Sequence, residues 1–321
     1  MEWRVWPGEW YLDAGALMIA LALDLTLREL PNSAHPVAWM GKLIMRLEGI
    51  GPSKGRRVAA FLWGVCIAIL VPALSGALVW LVANWLRELG VVFYVAGCAV
   101  LLSTTFAVRG LAGAARNVQA AMDDGSVNEA RRGLESLVSR DANSLSRPLV
   151  AAAAIESVAE NTTDSYIGPW LSFAILGLPG AFAYRAINTL DSMIGYRGKY
   201  EYLGKASARL DDAINFVPAR LSAAFMVASG ALCGMSARMG CTWVWRGRVQ
   251  TASPNAGWTI GAMSGLLGVA LEKPGHYRIG DGLRDPCALH IGTSIRVAYA
   301  VAAFGMLAAL GALTLRGLLT G

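Results

Sequence analysis

Between residues 156 and 164 the chain reads Glu-Ser-Val-Ala-Glu-Asn-Thr-Thr-Asp. On an α-helix, Glu156 and Glu160 stand one turn apart on one face, and Asp164 lies about 80° further round. Three carboxylates on a stripe, with Asn161 beside them and few local cations, repel one another unless something positive lies between them. Mg²⁺ takes one or two carboxylates and completes its shell with substrate phosphates, so Glu156, Glu160 and Asp164 are candidate metal ligands. A solvated acidic face is the plainer alternative, but the flanking Ala, Ile and Val residues argue against it.

Two further strings mix acids with arginines. The first carries Arg185, Asn188, Asp191, Tyr196, Arg197 and Lys199; the second carries Arg209, Asp211, Asp212, Asn215 and Arg220. Arg grips phosphate with its planar fork and Asp holds a metal, so these pairs suit a Mg-nucleotide or phosphate-ester site. Ion pairing between neighbouring helices would explain them equally well. Ser253-Pro-Asn255-Ala-Gly257 and Gly280-Asp281-Gly282 read as turns, with a backbone phosphate cradle as the functional alternative. His35, ahead of Pro36, is either a ligand contact or a loop histidine. No G-x-x-x-x-G-K-[ST] or H-E-x-x-H string occurs, which excludes a Walker loop and a zincin site.

The elements that must position these groups are membrane helices. Hydrophobic residues make up 55% and charged residues 16% of the 321 positions, against roughly 45–50% and about 25% in soluble domains. Disorder is excluded, since it needs low hydrophobicity and high net charge. The charge of +6 is not gathered into basic runs, so nucleic acid is not an expected partner. The five cysteines form no C-x-x-C pair and read as small buried hydrophobes. Residues 58–86 and 89–108 carry no formal charge, and each is long enough to span the roughly 20 residues a bilayer requires. The short link between them predicts an antiparallel hairpin. Residues 221–237 and 297–315 are further spans, and 13–30 is a fifth, interrupted by Asp13 and Asp24. Residues 165–188 are apolar but broken by Pro169, Gly177, Pro179 and Gly180, so they either cross or re-enter. Trp3, Trp6 and Trp10 suit an interface anchor. Lys42, Arg46, Lys54, Arg56 and Arg57 precede the 58–86 span, while Arg109 and Arg116 follow the 89–108 span. The positive-inside rule therefore places both flanks in the cytoplasm.

Residues 109–213 differ in character, holding 12 of the 22 acids. Helices are expected at 109–122, 127–139 and 147–160. The fold class is thus all-α: a polytopic integral membrane protein with about 4–6 spans. It is read as one membrane domain over 1–321, with 109–213 as a polar helical cytoplasmic insertion and 238–290 as a second site loop region.

Taken together, Glu156–Asp164, the string Ala183-Tyr-Arg-Ala-Ile-Asn188-Thr-Leu-Asp191-Ser-Met-Ile-Gly-Tyr196-Arg197, Ala206–Asp212 running to Pro218-Ala-Arg220, Ser253–Gly257 and Gly280–Gly282 resemble the CobD/CbiB family of adenosylcobinamide-phosphate synthases. The resemblance runs in order from about residue 20 to 300. Near the N-terminus the family pattern looks like L-D-x-x-x-G-D-P followed by L-P-H-P-V. Here Arg28-Glu29-Leu30 replaces Gly-Asp-Pro and Ala34 replaces the Pro before His35, while Glu29 keeps a carboxylate.

The resemblance implies an enzyme of the cell inner membrane with its site on the cytoplasmic side. It implies an ATP- and Mg²⁺-dependent amide synthesis joining adenosylcobyric acid, a corrinoid, to an amino-alcohol phosphate such as 1-amino-2-propanol O-2-phosphate. Catalytic roles then fall to Glu156, Glu160, Asp164, Asp191, Asp211 and Asp212. Phosphate contacts fall to Arg185, Arg197, Arg209 and Arg220. Asn161, Asn188, Asn215 and Asn255 become donors to corrinoid amides, and His35, Tyr196, Ser253, Gly257, Gly280 and Asp281 join the substrate-binding set. A polytopic transporter and a non-catalytic AmpE-like membrane regulator are the competing readings.

Overall fold

The computed structural model describes residues 9–27, 30–52, 56–138, 141–196 and 198–320. Trp3, Trp6, Arg28, Glu29, Lys54, Ser139 and Arg197 lie outside the described residues. In chain order the helices are α1 (Trp10–Thr26), α2 (Pro36–Gly49), α3 (Arg57–Leu89), α4 (Val91–Ser103), α5 (Val108–Asp123), α6 (Val127–Leu134) and α7 (Arg147–Thr162). A π-helical turn (Thr163–Ile167) follows, then α8 (Gly168–Ile194), α9 (Lys205–Ile214), α10 (Phe216–Leu232), α11 (Ala237–Gly247) and α12 (Ala256–Leu267). Strands β1 (Leu271–Lys273) and β2 (Tyr277–Ile279) precede the last helix, α13 (Ala288–Thr320). The protein is an all-α polytopic membrane protein, 76% helical.

Among the described residues, four helical stretches are long and apolar enough to cross a membrane: Arg57–Leu89, Val91–Asp123, Arg147–Ile194 and Ala288–Leu319. The bent pair α9 and α10 makes up to five. The expected span at 221–237 begins earlier, at Phe216, as the second half of that pair. The expected span at 13–30 is the 17-residue α1, which falls short of the roughly 20 residues a bilayer needs. The broken stretch at 165–188 is helix, kinked where Gly177 adopts φ 68° and ψ −162°. Only glycine adopts that conformation without strain. The 3–4 hairpin forms as expected, turned by Gly90 at φ 129°.

The chain divides into two compact units. Unit one contains the chain up to Ala107, Gly168–Ile214 and the residues from Leu307 on; unit two contains Val108–Ile167 and Asn215–Met306. Residues 109–213 are therefore shared between the units.

In unit one, α3 packs on α8 and α1 on α4. Gly64 lets the turn before α9 press onto α3, since a Cβ there would stand 2.0 Å from the Leu203 carbonyl oxygen. A buried polar network ties the apolar helices together. Arg316 pairs with Asp13, Tyr94 Oη donates to Asp13 Oδ1 at 2.6 Å, and Arg316 Nη1 donates to the Ala174 carbonyl at 3.2 Å.

In unit two, α7 is buried on every side from Val150 to Ala159. Its small residues admit neighbours all round. The 238–290 stretch, expected as loop, is largely α11, α12 and the hairpin. The reason lies in Gly257, Gly261 and Gly265, four residues apart on α12. A Cβ at each would stand 2.4, 2.3 and 2.3 Å from the carbonyl oxygens of Gly247, Trp243 and Met239 on α11. That spacing of small residues brings two backbones into contact.

Candidate functional site

The expected site residues fall into two sets, one in each unit. In unit two, α7 presents Glu156, Ser157, Glu160 and Asn161 along the wall of a cleft of about 140 Å³. Glu156 is buried, with 5% of its surface exposed, while Glu160 is exposed. The helix-face arithmetic therefore holds for this pair: one carboxylate sits deep and the next stands one turn along, at the opening.

The wall around them is fixed by hydrogen bonds. Ser157 Oγ donates to the Leu137 carbonyl at 2.8 Å. Asn161 Nδ2 donates to the Ser157 carbonyl at 2.9 Å and to its Oγ at 3.1 Å, and Asn161 Oδ1 accepts from Ser165 Oγ at 3.4 Å. Asn161 is thus committed largely to α7 itself. Asp164, expected on the same stripe, is not among the residues lining the cleft. The stripe assumed α geometry through residue 164, but the π turn begins at Thr163 and changes the angular step. Among the described residues, no three His, Cys, Asp or Glu side chains converge to hold a metal ion by themselves. Two carboxylates that leave the remaining positions to water and phosphate oxygens still match the way Mg²⁺ is bound.

The hairpin supplies further lining of the cleft. β1 and β2 pair antiparallel with Lys273 opposite Tyr277, and both side chains line the cleft. Arg278 reaches across to Glu272 at 2.7 Å and along to Asp281 at 3.2 Å, pinning the strands. Lys273 and Tyr277 were not anticipated from sequence. The signal that could have found them is Pro274-Gly275 between two short β-prone runs, a hairpin turn with Gly275 at φ 75°. A cation that lines a small cleft together with two carboxylates can hold a phosphate and its metal together.

The remaining unit-two candidates have structural partners. Arg220 lies between two aromatic rings, 3.5 Å from the Phe216 centroid and 4.6 Å from that of Trp258. It donates to the Phe216 carbonyl at 2.6 Å and to Asn255 Oδ1 at 3.1 Å. Asn215 and Asn255 precede α10 and α12, and Ser253 Oγ accepts from the Asn255 N–H at 3.2 Å. Gly257 is required by the α11–α12 contact. Gly280, at φ 93°, would place a Cβ 2.5 Å from Ser264 Oγ. The 280–282 string is therefore a packed turn, with Asp281 committed to Arg278.

In unit one, α8 and α9 pack together and bring acids into proximity. Asp212 lies close enough for its charge to act on Asp191. Arg185 Nη1 donates to Asn188 Oδ1 at 3.3 Å, one turn back along α8 from Asp191. Asp211 is half-buried, and Arg209 is exposed, 3.9 Å from Asp212. Tyr196 is exposed. His35 caps α2, its Nδ1 accepting from the Val37 N–H at 3.3 Å, which gives the loop histidine a structural role.

The position of Asp191 depends on Gly195. A Cβ there would stand 2.1 Å from Asp191 Oδ1 and 2.6 Å from its carbonyl oxygen. Gly195→Ala must therefore displace the carboxylate. If Asp191 orients a reacting group, turnover should fall between about tenfold and a hundredfold, because small misplacements are that costly. The check is steady-state turnover of protein that still inserts and remains monodisperse; unchanged turnover would remove Asp191 from that role.

Comparison with known proteins adds an independent finding. A family model described as CobD/Cbib protein matches residues 17–302. The chain is 42% identical over 267 residues to "Cobalamin biosynthesis protein CobD" of Dehalococcoides mccartyi, covering 83% of this chain and 86% of the relative. It is 38% identical over 277 residues to "Probable cobalamin biosynthesis protein CobD" of Methanothermobacter thermautotrophicus, covering 86% and 88%. The protein of that first name in Klebsiella pneumoniae is 33% identical over 314 residues, covering 91% and 94%. No solved structure matches the chain.

Proposed function

The chain belongs to the CobD/CbiB family, and from that membership we propose that it forms an amide bond on a corrinoid in cobalamin biosynthesis. The acid is a propionate side chain of adenosylcobyric acid. The amine is an amino-alcohol phosphate, with 1-amino-2-propanol O-2-phosphate as the leading choice. ATP drives the reaction, and the product is adenosylcobinamide phosphate.

A carboxylate is a poor acyl donor. Phosphorylation by ATP turns it into an acyl phosphate, whose phosphate then leaves when the amine attacks the carbonyl carbon. ADP leaves as the acyl phosphate forms; in the second step the amine loses its proton and the bond to phosphate breaks, releasing inorganic phosphate. Such chemistry asks for positioning and charge stabilisation rather than a protein nucleophile. The observation that carries the reading is the cleft in unit two, which Glu156, Glu160 and Lys273 line together. Mg²⁺, when bound, would neutralise the phosphate charge that builds up during transfer. Glu156 and Glu160 would hold it, and Lys273 would hold a phosphate oxygen. Asp164 is assigned to the water shell around the metal. Asp191, Asp211 and Asp212 are assigned to orienting or deprotonating the amine, and Asn188 with Arg185 to corrinoid amide and phosphate contacts.

ADP release measured against corrinoid consumed should be one to one, and should stop when the corrinoid is omitted. ADP release that ignores the corrinoid would contradict the proposed coupling.

The substrates are water-soluble, so the reaction belongs on the cytoplasmic side of the inner membrane. A tag fused within residues 123–126, between α5 and α6, should be shielded from membrane-impermeant labels in whole cells and become reactive on lysis. Labelling in intact cells would overturn that placement.

A further inference from the structure

Unit one holds a second cavity, of about 300 Å³, at the start of α3. Arg56 and Arg57 line one side. The turn after α8 supplies Lys199 and Tyr200, and the end of α2 supplies Glu48. Lys199 Nζ donates to Tyr200 Oη at 2.5 Å and pairs with Glu48 Oε1 at 3.2 Å, while Tyr200 Oη donates to Glu48 Oε1 at 3.1 Å. The Tyr200 hydroxyl and the Glu48 carboxylate push the Lys199 pKa above its ordinary value, so this group stays cationic. Arg57 stands over the Tyr202 ring, 5.5 Å from its centroid. Arg56 precedes the first turn of α3 and makes no side-chain capping bond there. Glu201 adds a second carboxylate to the lining.

The lining therefore shows both signs of charge. A simple anion would meet Glu48 and Glu201, and a simple cation would meet Arg56, Arg57 and Lys199. A ligand with a phosphate monoester at one end and an ammonium at the other satisfies both sets. The volume lies at the lower end of the range for small-molecule sites, which suits a ligand of a few heavy atoms rather than a corrin ring.

We infer that this cavity binds the phosphate ester of a short amino alcohol, with Arg56, Arg57 and Lys199 on the phosphate and the glutamates on the ammonium. Arginine suits the phosphate end because its fork donates two parallel hydrogen bonds. As the free ester, the ligand is the amine partner of the proposed ligation, and its identification as substrate rests on that reading. The headgroup of phosphatidylethanolamine carries the same chemistry, and α3 is long and apolar enough to enter a bilayer beside it.

The test is calorimetric titration of the purified full-length protein with 1-amino-2-propanol O-2-phosphate, 1-amino-2-propanol and inorganic phosphate in turn. The ester should bind most tightly. The double variant Arg56→Gln, Arg57→Gln should weaken it by about tenfold or more, the scale of a lost charge-assisted pair, and the double variant Arg56→Lys, Arg57→Lys should retain part of the affinity. Glu48→Gln should weaken the ester but not inorganic phosphate. Native mass spectrometry after purification from lipid supplies the second arm. Retention of phosphatidylethanolamine over phosphatidylglycerol, lost in the double Gln variant, would support the site and name the lipid as its source. Equal binding of ester and lipid by wild type and a monodisperse double Gln variant would overturn it. If ester binding is lost in the variant but wild type never forms an amide, the subsite stands and the ligase reading falls. If wild type forms the amide and the variant keeps its KM for the ester, the subsite falls and the ligase reading stands.

Discussion

Glu160→Gln is expected to lower kcat for corrinoid amidation by about a hundredfold or more while leaving the protein inserted and thermally unchanged. The magnitude follows from loosening the Mg²⁺ that would stabilise the developing phosphate charge, since losing one such electrostatic stabiliser costs on the order of 10²–10³ in other enzymes. Glu160 stands at the opening of the unit-two cleft and is exposed, so the amide has water to satisfy it and no core contact is lost. The same substitution at Glu156 reaches a buried carboxylate and is expected to affect both activity and folding, which makes Glu160 the cleaner test. Turnover should be measured across a Mg²⁺ titration. A metal ligand predicts a raised requirement for Mg²⁺ as well as a lower plateau. Full activity at ordinary Mg²⁺ would remove Glu160 from the metal role.

Arg316→Met is expected to destabilise unit one by about 3–5 kcal/mol, the usual cost of breaking a buried ion pair from one side. Both groups are enclosed, Asp13 at 1% and Arg316 at 9% exposure, and Tyr94 and the Ala174 carbonyl complete their hydrogen bonding. Losing the arginine leaves the Asp13 carboxylate among apolar helices with Tyr94 as its main donor. The double variant Asp13→Leu, Arg316→Met should recover most of the loss, because replacing both members removes the orphaned charge as well. Thermal unfolding in detergent for the four members of the cycle gives the coupling directly. Additive losses, or a single variant within about 1 kcal/mol of wild type, would show that the pair contributes little. The pair also bears on the transport reading. Intramembrane charges often mark a substrate path, but these two neutralise each other and are closed off from solvent.

Much of the helical frame was legible because it rests on charge-free length. Residues 58–86 could only be a long helix, and the short link after it left only a hairpin; 89–108 instead becomes the 13-residue α4, broken at Thr104 before α5 begins at Val108. Glu156 and Glu160 were legible for a related reason: a four-residue step keeps its face wherever the helix is regular. The same rule misplaced Asp164, because sequence periodicity carries no mark of a π turn. Residues 256–267 read as loop because glycine signals turns more often than it signals contact between backbones. Only the partner carbonyls on α11 show that Gly257, Gly261 and Gly265 serve packing. Arg220 and Asn255 looked like ligand contacts by residue type, yet they bond to each other across 35 positions, a pairing no local pattern encodes. Lys273 reached the cleft for the converse reason: a two-strand hairpin in an all-α chain is too short to give a strong alternating signal.

The most direct measurement is the mass of the corrinoid after the purified protein has been incubated with adenosylcobyric acid, an amino-alcohol phosphate and Mg-ATP. A corrinoid heavier by the amino-alcohol phosphate less one water, formed only when ATP is present, is the expected outcome. An unchanged corrinoid with every amino-alcohol phosphate supplied would contradict the assignment of this chain as the amide-forming enzyme.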